Sequence, residues 1–150
     1  MKRIVAGFLL FLPLLQAREA GGRAQYVGGT NGELRVKSDG LLQTTDAAEM
    51  LFATKQFSVH VPYENITNIE YGQKVSRRYL EALLISPILL LAKRRTHFLT
   101  VGYTDPKGKQ QAMVFQLNHG DIRVVLVGLE ARTGRKVEYQ DEEARKAGKG

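Results

Sequence analysis

The chain has 150 residues, enough for one domain with a real core. It has no cysteine, which excludes disulfides, thiolate catalysis, cysteine-ligated metals and a lipid-modified N-terminal cysteine. Its 22 basic residues exceed 15 acidic ones, and a formal charge of +7 favours anionic surfaces, either lipid headgroups or nucleic acid.

The N-terminus, MKRIVAGFLLFLPLLQA, has the parts of a secretory signal. Lys2 and Arg3 precede an apolar run from Ile4 to Leu15, and Pro13 lies near its end. A run of about a dozen residues is too short for the roughly 20 that span a bilayer. Cutting after Ala17 places Leu15 three residues back; cutting after Ala24 gives the small-residue pattern Gly22-Arg23-Ala24. Residues 1–17 are therefore expected to be a signal peptide, with the cut as late as 24. An exported protein, periplasmic or extracellular, follows.

The next elements read as short strands. In ELRVK, Leu34 and Val36 alternate with Glu33, Arg35 and Lys37, which predicts a half-buried strand, and SDG after it suits a turn. Phe57, Val59 and Val61 alternate with Ser58 and His60 in a strand closed by Pro62, and Ile66, Ile69 and Tyr71 follow an ENIT corner. In the hairpin HFLTVGYTDPKGKQQAMVFQL, Leu99, Val101 and Tyr103 alternate on one side; Ala112, Val114 and Gln116 return on the other strand. Asp105-Pro106-Lys107-Gly108 between them suits a type I turn.

From Gly120 the period changes. Ile122, Val125, Leu126 and Leu129 form one apolar helical stripe, with Asp121 suited to its start, Arg132 to its last turn and Gly134 to its end. Residues 140–150 are charged, lack apolar periodicity and read as a frayed tail. Short strands followed by one amphipathic helix predict a mainly β, α+β domain: a curved antiparallel sheet or open barrel with the helix over its mouth.

At this point the sequence resembles the bacterial pleckstrin-homology-like (PH-like) domains, including the GRAM-like branch. VPYENITNIEYG at 61–72, the hairpin at 97–117 and LEARTGRKVEY at 129–139 carry the resemblance, which covers roughly residues 25–139. It implies a binding or membrane-associated scaffold without enzymatic activity. Phosphoinositide-binding members carry cations around the first hairpin loop; that loop, read here as GGTNGE, has none, so there is no inositol-lipid motif. An apolar insertion before the long hairpin is a second departure.

Catalytic signatures are not found. His60, His97 and His119 form no metal-ligand pair, VGGTNG lacks the residues of a phosphate loop, and no Ser lies in a nucleophile elbow. No catalytic residue, cofactor or metal is therefore expected. Exposed aromatics interleaved with the cations are not evident, so nucleic acid is not expected as a partner either.

The remaining feature is YLEALLISPILLLA at 79–92, preceded by Arg77 and Arg78 and followed by Lys93, Arg94 and Arg95. As one helix it would be about 21 Å long against a hydrocarbon core of roughly 30 Å. Pro87 in its middle disfavours helix at Ser86. Two apolar arms hinged at Ser86-Pro87, with cations at both exits, predict a helical insertion resting shallowly on an anionic membrane. The residues assigned to that contact are Arg77, Arg78, Leu83, Leu84, Ile85, Pro87, Ile88, Leu89, Leu90, Leu91, Lys93, Arg94 and Arg95. The alternative is packing of the same segment on the barrel, on a second copy or on a protein partner.

Overall fold

A computed structural model describes residues 21–30, 32, 34–75, 79, 84–85 and 96–149. The strands are β1 Gly21–Gly29, β2 Ser38–Gln43, β3 Glu49–Ala53, β4 Ser58–Pro62, β5 Ile66–Gly72, β6 Leu84–Ile85, β7 Phe98–Thr104, β8 Gln110–Leu117 and β9 Val137–Tyr139. Helix α1 spans Ile122–Thr133, helix α2 spans Glu142–Lys149, and a 3-10 turn covers Tyr63–Asn65. The sheet runs β4-β3-β2-β1-β8-β7-β5-β9, with β6 added beside β1. All pairs are antiparallel except β5 with β9. The result is a mainly β, α+β fold in which the sheet curls around its core without closing: β4 and β9 are its edges among the described residues.

The concave face holds the main core. Phe115 packs its ring against Phe52 at 4.9 Å and against Tyr26 at 5.9 Å, tilted and edge-on, as aromatic quadrupoles prefer. The α1 stripe Ile122, Val125, Leu126 and Leu129 is buried as its spacing predicts, and Gly134 ends the helix with φ 68°. Gly22 lets α1 approach β1: a Cβ there would stand 2.6 Å from the Asp121 Cβ and 2.8 Å from the Val125 Cγ2. The Asp121 carboxylate makes no bond to its own helix. Its Oδ2 instead accepts the Arg23 N–H of β1 at 3.0 Å.

Several expectations are corrected. ELRVK is not a strand: β1 continues through Gly28-Gly29, and the chain reverses at 34–37, where Lys37 takes φ 68°. Ser38-Asp39-Gly40, read as a turn, opens β2. The apolar alternation there reflects loop side chains, Leu34 and Val36, that fold into the core. In the long hairpin, the concave partners of Leu99, Val101 and Tyr103 are on the Met113, Phe115 and Leu117 face; Ala112 and Val114 lie on the convex face. A bulge between Ile66 and Asn68 explains how Ile66, Ile69 and Tyr71 all reach one core despite their odd spacing. Strand β3, with Met50 and Phe52 fully buried, had no separate place in the sequence reading.

The expected frayed tail is the helix α2. Asp141 Oδ1 accepts the Ala144 N–H at 2.7 Å, with Glu142 and Glu143 in the first turn and Lys146 and Lys149 in the last, all matching the helix dipole. Its buried face is Ala144 and Gly148, residues too small to register as an apolar pattern. Gly148 sits so close to Tyr139 and Leu126 that a Cβ would meet them at 2.5 and 3.0 Å.

Candidate interaction surface

The apolar segment belongs to the connection between β5 and β7, and Gly72 at the end of β5 is the cross-strand partner of Phe98 at the start of β7. The connection therefore leaves the sheet and returns to it at one place. A single membrane crossing by 79–92 would separate those two partners by roughly 30 Å of hydrocarbon and is excluded. Arg77, Arg78, Leu83, Pro87, Ile88, Leu89, Leu90, Leu91, Lys93, Arg94 and Arg95 lie outside the described residues. Leu84 and Ile85 are described, and they correct the helical reading at these positions. Their backbone is extended and pairs antiparallel with Gly29 and Gly28 of β1.

The root of the connection packs on the convex face of the sheet. Val75 and Tyr79 join Val27, Phe98, Ala112 and Val114 in a second buried cluster. Below Tyr79 is a buried polar row on β5. The Tyr79 hydroxyl donates to Asn68 Oδ1, Asn68 Nδ2 donates to Glu70 Oε1 at 2.9 Å, and Gln140 Nε2 reaches Glu70 Oε2 at 3.5 Å. Gly102 opposite them has no room for a side chain. Such satisfaction is what a 97% buried carboxylate requires.

Strand direction then sorts the loops. In the meander β1 to β4, the β1–β2 and β3–β4 connections leave at one end, and the β7–β8 turn leaves at that end too, because β8 runs antiparallel to β1. Helix α1 follows β8 at the opposite end and packs near Gly22. The loop end carries exposed Arg35 and Lys37, Lys55, and Lys107 and Lys109. Leu84 and Ile85 meet β1 at Gly29 and Gly28, its last residues before the first of these loops, so the middle of the apolar connection reaches this end, although its roots at Gly72 and Phe98 lie toward the helix end. The β1–β2 connection is longer than the GGTNGE reading and does contain cations, Arg35 and Lys37, beside Glu33. Sequence reasoning missed this group because its members share an end of the sheet only through strand direction.

Among the described residues, the acidic groups at the loop end are Asp39, which accepts from Gln25 Nε2 at 2.9 Å, and Asp105. Asp105 is turned onto its own loop. The Gln111 side chain and the N–H groups of Lys109 and Lys107, each at 2.9 Å, hold its carboxyl below the usual carboxylate range, the Gln111 bond contributing most. Gly108 closes that turn with φ 76°.

The histidines have separate settings. His60 is exposed and bonds Glu49 across the β3–β4 pair, and His119 is exposed before α1. His97 stacks on Tyr71 at 5.6 Å and is 14% exposed, with Nε2 3.7 Å from Asp141 Oδ1. It lines a cavity of about 230 Å³ with Tyr71, Gln116, Asn118 and His119. The stack makes it a packing group at the base of the connection. Among the described residues, no group of three or more His, Asp or Glu gathers for a metal, and no helix is long and apolar enough to cross a membrane.

Compared with known proteins, the chain matches no family model and no curated sequence.

Proposed function

We propose that this chain is an exported, non-enzymatic binding domain of the PH-like kind that associates peripherally with an anionic membrane surface. The apolar connection 79–92 and its flanking cations make the contact, with the loop cations Arg35, Lys37, Lys55, Lys107 and Lys109 beside it. The observation that carries this reading is that the middle of the connection reaches the loop end: Leu84–Ile85 is paired to Gly29–Gly28 where the cationic loops emerge. The PH-like reading draws support from the order of elements, a four-strand meander, then β5, β7 and β8 in sequence, then a helix. The hydrophobic N-terminus supports export.

Physically, the two contributions differ in kind. Each Lys or Arg held near an anionic surface contributes about 1 kcal/mol, screened by salt. Each Leu or Ile that leaves water contributes roughly 1.5–3 kcal/mol with little salt dependence. Pro87 to Leu91, beyond the strand pairing of Leu84–Ile85, are the residues assigned the lipid contact.

Co-sedimentation with vesicles tests the reading. The folded protein binds vesicles rich in anionic lipid, binds neutral ones weakly, and loses affinity as salt rises. Leu90→Asp with Leu91→Asp abolishes the residual binding at high salt. A second reading, an interaction module that dimerises or binds a protein through this segment, is favoured by the strand addition at Leu84–Ile85. A folded protein that ignores anionic vesicles and sizes as a stable dimer would establish that reading instead.

A further inference from the structure

We infer that export processing removes residues 1–17 and stops there, so that Gly21–Ala24 belongs to the mature protein. This rests on the reading of the N-terminus as a signal. The small-residue pattern Gly22-Arg23-Ala24 marks a later cut, but in the fold these residues are the first half of the sheet's central strand. Gly21, Gly22, Arg23 and Ala24 pair with Gln43, Leu42, Leu41 and Gly40 on one side, and Ala24 pairs with Leu117 on the other. A cut after Ala24 would leave β2 with only Gln25 and Tyr26 as its partners on β1.

The same four residues seat α1. The Arg23 N–H donates to Asp121 at 3.0 Å, and the Arg23 carbonyl accepts the Asn118 N–H at 3.0 Å. Gly22 lies under Asp121 and Val125 in a space no larger residue can occupy. The smallness that resembles a cleavage pattern is thus what the helix requires. A signal peptidase acts on the unfolded chain, so the fold cannot block the later cut. Its product, however, lacks the half of β1 that pairs with Gly40–Gln43 and lies under α1. Cutting after Ala17 leaves Arg18-Glu19-Ala20 as a spacer and the strand whole.

Intact-mass measurement on the full chain exported from a bacterial host decides the matter. The expected mass is that of residues 18–150. A product starting at Gln25 overturns the inference while leaving export intact, and an unprocessed chain of residues 1–150 overturns the export reading and the inference with it. Arg18→Pro, which puts a ring and a missing N–H directly after the proposed cut, should accumulate precursor. A protein begun at Gln25 should lose the cooperative thermal transition that one begun at Arg18 shows; equal melting temperatures overturn the structural argument.

Discussion

The Tyr79 hydroxyl donates to Asn68 Oδ1 on the convex face of the sheet, directly over Gly102. The contact ties the root of the apolar connection to β5 and leaves no volume for a side chain on β7 at this point. Gly102→Ala should destabilise by about 1–3 kcal/mol through overpacking. Tyr79→Phe, which keeps the ring and removes the donor, should cost about 1–2 kcal/mol. Urea unfolding of both variants measures this, and a neutral Gly102→Ala would mean that the connection does not pack here.

What could be read from the sequence was what is local. The alternation of Leu99, Val101 and Tyr103 and the α1 stripe are set by residues a few positions apart, and both stand as read. Lys37 was misread because its left-handed backbone is imposed by β2 pairing back onto Tyr26, a choice Lys alone does not make. AMVFQL looked like half a strand pair, yet Met113 and Phe115 face one core and Ala112 and Val114 another. A continuous apolar run is what burial on both faces requires, and the alternating reading passed over it. The loop cations were illegible for a different reason: Arg35 and Lys109 become neighbours in function only once strand directions are known.

Lys37 separates stability from binding. Lys37→Gly should raise stability by about 1 kcal/mol, because glycine takes φ 68° without the Cβ penalty. The same change removes one loop cation and should weaken binding to anionic vesicles about fivefold. Lys107→Gln with Lys109→Gln should weaken it about 30-fold with little change in unfolding temperature. Arg123→Gln, at the helix end, serves as the control and should leave vesicle binding unchanged. Equal losses per charge removed in all three variants would point to net charge rather than to this end of the fold.

The pH limits of stability have two different origins. Asp46 accepts the N–H groups of Ala48 at 2.6 Å and Glu49 at 3.1 Å, the Ala48 bond lowering its pKa most, and Asp105 is lowered by its loop bonds. Folded values below the unfolded value of about 3.9 give stability that is present above that pH and is lost as pH falls through the folded values. Asp46→Ala and Asp105→Ala should therefore lower the melting temperature at neutral pH, and their gap to the wild type should narrow as pH falls below about 3.9. Tyr71 acts in the opposite sense. Burial, then the nearby charges of Asp141 and Tyr139, push it up to about 12. Its contribution is whole below pH 10 and is lost as pH rises from there through 12, so Tyr71→Phe should remove that part of the alkaline decline.

His97 offers the last test, of whether its ring or its nitrogen matters. The ring lies against Tyr71 at an interplanar angle of 17°, while Nε2 is buried with no hydrogen-bond partner, 3.7 Å from Asp141. A buried polar atom left in that state costs about 1–3 kcal/mol, which an apolar ring of similar shape recovers. His97→Phe should hold or raise the melting temperature, and His97→Ala, which removes the stack, should lower it. If His97→Phe instead destabilises as much as His97→Ala, the nitrogen is engaged by Asp141 and the histidine ties the returning end of the apolar connection to the residue that precedes α2.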